Sequence, residues 1–235
     1  MSEPMPLTVA VAMNSSGSRG SVKINVRESV FQALMTLLMD HDLEPGTKLS
    51  IAGLARQLEV SQTPVREALA RCESEGLVVR RPNAGYLVAP LLDRTGLDDL
   101  YDIRLLLEPP AAERAARYAT SAELDGMHHM LERMRPPLRG DTYEAYRGFA
   151  ELDAAFHNAI AEASRSPLIA DTLRRFRAHT HSYRLYFRHS IAGEAVVEHQ
   201  AMLDAIRAKD PEAAARAMHD HLEASRSRLR NTGES

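Results

Sequence analysis

SQTPVREAL, Ser61–Leu69, decides the fold of the first part of this chain, because it reads as the opening of an amphipathic helix with an unusually polar first turn. Ser61 suits an N-cap, its hydroxyl able to accept from a first-turn amide that has no intrahelical partner. Pro64 falls within that first turn, where no intrahelical donor is lost. Val65, Ala68, Leu69 and Cys72 recur at three- and four-residue spacing and mark one buried face. The face left over carries Gln62, Thr63 and Arg66. An amide, a hydroxyl, a guanidinium and free backbone amides at one helix start suit a phosphate-lined major groove.

The flanks point the same way. Ser50 is placed to cap a short helix with Ile51, Leu54, Ala55 and Leu58 inward, and Glu59 and Val60 separate the two helices, as in a helix-turn-helix. Gly76 suits a left-handed C-cap. Leu77–Arg81 and Tyr86–Ala89, joined by Pro82-Asn83-Ala84-Gly85, read as a hairpin, here the wing of a winged helix. Upstream, residues 25–41 form an amphipathic helix with Val30, Leu34, Leu37 and Leu38 inward, ended by the Pro45-Gly46 turn. The bland reading, a generic helix pair with a surface hairpin, would need all of these independent signals to coincide.

With these residues in place, the chain resembles a GntR-type transcriptional regulator. The resemblance runs from Leu43-Glu44-Pro45-Gly46 through Leu54-Ala55 and Val60–Leu69 to Glu75-Gly76-Leu77 and the wing glycine, Gly85. It implies that Arg56, Ser61, Gln62, Thr63, Pro64, Arg66 and Gly85 form the DNA-binding set. Three features depart from the family pattern. Ile51 stands where an acidic residue is usual, Ala52 and Gly53 fill positions that are often charged, and Cys72 replaces a leucine. The first two could remove a phosphate contact from the supporting helix; Cys72 alters packing and leaves the readout residues intact.

At 235 residues the chain fits two modest domains, and 44% hydrophobic with 26% charged residues is typical of a globular protein. The lone Cys72 excludes an intramolecular disulfide framework and suits a reducing cytoplasm, where the protein is expected to reside. No apolar run approaches the length that spans a bilayer, so no membrane partner is expected. Residues 1–22, rich in Ser, Gly and Pro, read as a disordered tail, and the short apolar run Leu7–Met13 as part of it, not a signal peptide. Net charge is −3, which argues against indiscriminate nucleic-acid binding. Residues 23–94 hold nine Lys/Arg against nine Asp/Glu. DNA affinity must therefore come from local placement, with Arg56, Arg66, Arg71, Arg80 and Arg81 on the DNA side, and from a homodimer that doubles the contacts.

The expected organisation is a winged helix-turn-helix over residues 23–90, a linker at 91–96, and an all-helical domain over 97–230. The fold class is thus mainly α, an N-terminal winged helix followed by an antiparallel helical bundle. Six bundle helices are read, at 97–118 (perturbed at Pro109-Pro110), 121–135, 142–164, 167–189, 194–208 and 211–229.

Charges stand where the bundle core should be. Phe149, Asp153, Phe156, His157 and Ile160 share one helix face, with Asp153 and His157 one turn apart. Val196, His199, Leu203 and Ile206 share another, and Ala214, Met218, His221 and Ser225 a third. A carboxylate inside such stripes needs partners. A divalent ion held by one carboxylate and three imidazoles supplies them, and donors of this type suit Zn²⁺, Ni²⁺, Mn²⁺ or Co²⁺ without choosing among them. A hydrogen-bonded Asp–His network without metal fits the same spacing. His128, His129, His179, His181, His189 and His219 have plain readings as surface or interface residues.

Residues 97–229 resemble the FCD effector domain of the FadR branch, and that resemblance implies a metal held by Asp153, His157, His199 and His221. Ser166 departs from the family's usual Asn, at a helix connection away from the ligand set. Arg104 is a second anomaly, since it lies on the inward stripe of Leu97, Leu100, Leu107 and Ala111. It could pair internally with Glu108 one turn on. The resemblance instead implies that Arg104 contacts an effector, a small organic acid held between it and the metal. The expected function is a repressor that binds double-stranded DNA at a pseudo-palindromic operator as a homodimer and responds to that acid. A metal-dependent enzyme acting on a small acid, and a direct metal sensor, are the alternatives; no catalytic residue set is recognised for the former.

Overall fold

A computed structural model describes residues 26–40, 42–135, 143–176 and 192–232. The tail at 1–22, residues 177–189 of the fourth bundle helix, and His179, His181 and His189 lie outside them. The chain divides into two compact units, one up to Pro90 and one from Leu91.

The first unit has helices α1 (Val26–Met39), α2 (Ile51–Gln57) and α3 (Gln62–Ser74), with strands β1 (Lys48–Leu49), β2 (Val78–Arg81) and β3 (Gly85–Val88). The strands form an antiparallel sheet in the order β1-β3-β2, with Arg80 opposite Tyr86. Leu34, Leu37 and Leu38 of α1 are buried together with Val65, Leu69 and Cys72 of α3 and with Leu77, Val78 and Val88 of the wing. Burial of Cys72 pushes its thiol up to about 12, so it acts as a small core hydrophobe.

Local chemistry sets the boundaries. Ser50 Oγ accepts from Gly53 N at 3.1 Å and starts α2. Gly46, at φ +82°, turns the chain so that its amide donates to Val88 O at 2.9 Å. That turn lays β1 beside β3, a two-residue strand too short for a pattern to show. At the end of α3, Gly76 has φ +72°, and the bonds Gly76 N to Glu73 O and Leu77 N to Cys72 O, both 3.0 Å, close a Schellman cap.

Two expectations change. Ser61 has the extended backbone of an N-cap, yet its side chain makes no capping bond. The turn before it, Leu58–Ser61, is longer than the two residues expected, because α2 ends at Gln57. This turn is held by Val60 N to Ala55 O at 3.0 Å, with Glu59 in the left-handed region at φ +53°.

The second unit contains α4 (Arg94–Tyr118), α5 (Ser121–Met134), α6 (Tyr143–Ala163), α7 (Pro167–Phe176), α8 (Ala192–Arg207) and α9 (Pro211–Thr232). Asp93 Oδ1 accepts from Gly96 N at 2.8 Å, so α4 begins three residues before the expected position 97. It then continues helically through Pro109 and Pro110. Thr120 and Glu123 form a capping box at the start of α5. Tyr101, Met127, Leu131, Phe156, Ile160, Met202, Leu203, Met218 and Leu222 make one apolar core. Among the described residues no helix is long and apolar enough to cross a membrane.

Candidate metal centre and nucleic-acid interface

Four helices of the second unit send polar side chains into its core. Arg104 and Glu108 come from α4, Asp153 and His157 from α6, His199 from α8, and His221 and Ser225 from α9, all buried. Each replaces an apolar residue on an inward stripe, so the packing that buries the stripe buries the polar group too.

The three imidazoles converge. Ring centroids are 5.2 Å apart for His157 and His199, 5.1 Å for His157 and His221, and 4.7 Å for His199 and His221. One nitrogen from each ring lies within 4.8 Å of the other two. His157 Nε2 is 3.3 Å from His199 Nε2, and Asp153 Oδ1 lies 3.2 Å from that same His199 nitrogen. Asp153 thus joins the cluster at His199.

The outer ring nitrogens are held by carboxylates. Glu108 Oε2 is 2.6 Å from Nδ1 of His157, and Glu198 Oε2 is 2.7 Å from Nδ1 of His221. An ionised carboxylate can only accept, so each Nδ1 donates, and in a neutral ring the lone pair is then left on Nε2, which for His157 faces His199. Arg228 grips Glu198 at 2.7 and 2.9 Å. Burial opposes the Glu198 charge, but hydrogen bonds from Arg228 and His221 outweigh it and lower the carboxyl to about 2. Burial likewise opposes ionisation of Glu108, and the Arg104 charge beside it, with the hydrogen bond from His157, holds it well below the usual carboxylate range.

This donor set fits a divalent first-row ion: borderline nitrogens, one adjacent carboxylate, and carboxylate–histidine pairs that preset the tautomers. Arg104 was expected to face an acid. Its Nε lies 2.5 Å from Glu108 Oε1 and its Nη2 3.4 Å from Oε2, so the internal pairing weighed in the sequence is formed. Sequence reasoning missed the reach of Glu108 to His157 and the role of Arg228, which lies seven residues beyond His221, on the same helical face. Tyr101, hydrogen-bonded to Ser225 Oγ at 2.7 Å, was also missed. His128, His129 and His219 are exposed.

In the first unit, Ser61, Gln62, Thr63 and Arg66 stand exposed on the N-terminal turns of α3, with Pro64 half-buried. Arg56, Ser61 and Gln62 border an open depression of about 500 Å³ between α2 and α3. At the wing tip, Asn83 (φ +63°) and Gly85 (φ +80°) make the turn, and Arg80 and Arg81 are exposed on β2. Arg71 has partners on α1. Its guanidinium lies 3.6 Å from the centre of the Phe31 ring and 2.7 Å from Glu28, so it binds α3 to α1, a tie that the sequence reading did not foresee.

The bacterial regulatory proteins of the gntR family match residues 26–88, and the FCD domain matches 99–224. An Escherichia coli K12 protein, whose name provisionally assigns it to regulation of the L-lactate dehydrogenase operon, is 31% identical over 220 residues, 83% of each chain. The HTH-type transcriptional repressor NanR of Citrobacter rodentium is 27% identical over 238 residues, 91% of this chain and 88% of its own. Among solved structures, E. coli McbR/YncC superposes with a TM-score of 0.66 at 23% identity, covering 90% of this chain and 100% of that one, which shows the shared fold.

Proposed function

The chain belongs to the gntR family of bacterial transcriptional regulators and carries an FCD domain, and from that premise we propose a repressor controlled by a small organic acid at a divalent metal. Asp153, His157, His199 and His221 would hold the ion. When bound, it supplies open coordination positions to carboxylate or hydroxyl oxygens. The observation that carries the reading is the pair of carboxylate–histidine contacts, which turn two imidazole nitrogens toward a third.

Arg104 would select acids over neutral ligands. Its Nε and Nη2 face Glu108, so an incoming carboxylate takes the Nη1 edge or displaces Glu108. The E. coli relative's link to an L-lactate operon makes 2-hydroxy acids the first class to test. The repressor sign follows the name of the NanR relative. A homodimer is the natural reader of a pseudo-palindrome, because one recognition helix spans few base pairs.

To relieve repression, the acid must bind the DNA-incompetent arrangement more tightly than the competent one. The test is operator binding by full-length protein, on a duplex selected from a random pool, titrated with 2-hydroxy, 2-keto and sugar acids. Release should occur in metal-loaded protein and vanish after chelation. Release by metal alone at fixed acid would favour the sensor reading, and turnover of the acid the enzyme reading.

A further inference from the structure

We propose that Glu108 is a positioning residue: it fixes His157 with the proton on Nδ1 and the lone pair on Nε2, and ties that ring to Arg104. The inference rests on the metal reading above. It gives a task to α4, which offers the imidazole cluster no ligand of its own among the described residues.

Three observations carry it. Glu108 is 3% exposed and uses both oxygens, Oε1 toward Arg104 at 2.5 Å and Oε2 toward His157 Nδ1 at 2.6 Å. An ion pair within one helix would satisfy Arg104 without help from α6, so the reach across to His157 is an addition that pairing does not require. The Nε2 freed by this contact points into the cluster, 3.3 Å from His199 Nε2.

The same device recurs at His221, where Glu198 takes Nδ1 and Arg228 grips Glu198 with two nitrogens. Two of the three rings are thus each set by a carboxylate that an arginine holds in turn. Arg104 is itself packed over Tyr101, 5.2 Å from the ring centre, and Tyr101 bonds Ser225 on α9 one turn beyond His221. The guanidinium is therefore held on both sides, and it keeps Glu108 in one orientation.

Glu108→Gln separates positioning from packing. Arg104 can only donate, so it draws the amide oxygen of the new residue, leaving the NH₂ group against Nδ1 of His157. That geometry forces the proton onto Nε2, the wrong atom for a ligand. In full-length protein, Zn²⁺ affinity measured by chelator competition should fall roughly 10- to 100-fold. In chelator-stripped protein, ¹⁵N spectra of the imidazoles should show His157 moving from the Nδ1–H to the Nε2–H form. Glu108→Asp, which keeps the charge on a shorter arm, should recover part of both, and serves as the test if Glu108→Gln does not fold. A lower melting temperature with Zn²⁺ affinity within twofold and the Nδ1–H form retained would overturn the proposal. If wild-type protein takes up no Zn²⁺, the metal reading fails by itself, and the tautomer of His157 still decides what Glu108 does.

Discussion

Arg104 and Glu108 form an ion pair across one turn of α4, each side chain only 3% exposed. Breaking a buried pair by removing one partner strands the other charge, at about 3–5 kcal/mol. Arg104→Ala is therefore expected to lower the melting temperature markedly, so loss of effector response in that variant would be ambiguous. Arg104→Lys keeps the charge without the planar fork. It should retain metal and operator binding while losing most of the response to 2-hydroxy acids, read by operator titration with L-lactate. A wild-type response in Arg104→Lys would reduce Arg104 to a structural partner of Glu108.

Purified protein should hold about one divalent ion per chain by elemental analysis, and His199→Ala should hold none. Ion at a hundredfold excess over its dissociation constant should stabilise the fold by about 2.7 kcal/mol. Identical melting of wild type with and without Zn²⁺, Ni²⁺, Mn²⁺ or Co²⁺ would count against the site.

Two arginines on α3 should part company. Arg66, exposed and with its Nη2 3.5 Å from Gln62 Oε1 within α3, should contribute about 1–3 kcal/mol to operator recognition. Arg66→Ala should leave the melting temperature unchanged. Arg71→Ala should cost about 0.5–1 kcal/mol of stability through Phe31 and leave operator preference intact. Gel shifts and melting curves on both variants would expose an exchange of these roles.

Glu59 sits at φ +53°, where a side chain is disfavoured. Glu59→Gly should stabilise the fold by about 0.5–1 kcal/mol even though it loosens the unfolded chain. Destabilisation on chemical denaturation would show that the Glu59 side chain itself stabilises the turn.

Glu123 accepts from Arg165 and from the Thr120 backbone, and these bonds lower its carboxyl from 4.5 to about 2. A carboxyl depressed in the folded state stabilises above its unfolded value. Its contribution is therefore complete above about pH 5 and lost as the pH falls from 4.5 toward 2. Glu123→Gln should remove that part of the acid dependence and weaken the α5 cap by about 1 kcal/mol at neutral pH. Parallel acid-denaturation curves for the two proteins would contradict this.

Most of the winged helix was legible in the sequence because its signals are local: Ser50, Pro64, Gly76 and Gly85 each act within a few residues of their own position. The histidines were legible as well, since an imidazole on an apolar stripe betrays itself by period. What could not be read were the contacts between stripes. Glu108 and His157 lie 49 residues apart in sequence, and only the packing of α4 on α6 brings them to 2.6 Å. The ties of Arg71 were missed for a related reason. It lies on the exposed side of α3, and nothing local says that Phe31 and Glu28 of α1 claim it. β1 escaped because two residues carry no alternation.

Pro109 and Pro110 leave α4 without two amide donors, so the carbonyls of Leu105 and Leu106 lack their partners four residues on. The turn that carries Arg104 and Glu108 is therefore joined to the rest of α4 by a thinner hydrogen-bond seam than any other part of it. In amide exchange, Arg94–Glu108 and Ala111–Tyr118 should open as separate cooperative units with different protection. The acid proposed to act at Arg104 would then need to deform only the first of these segments, leaving the second docked.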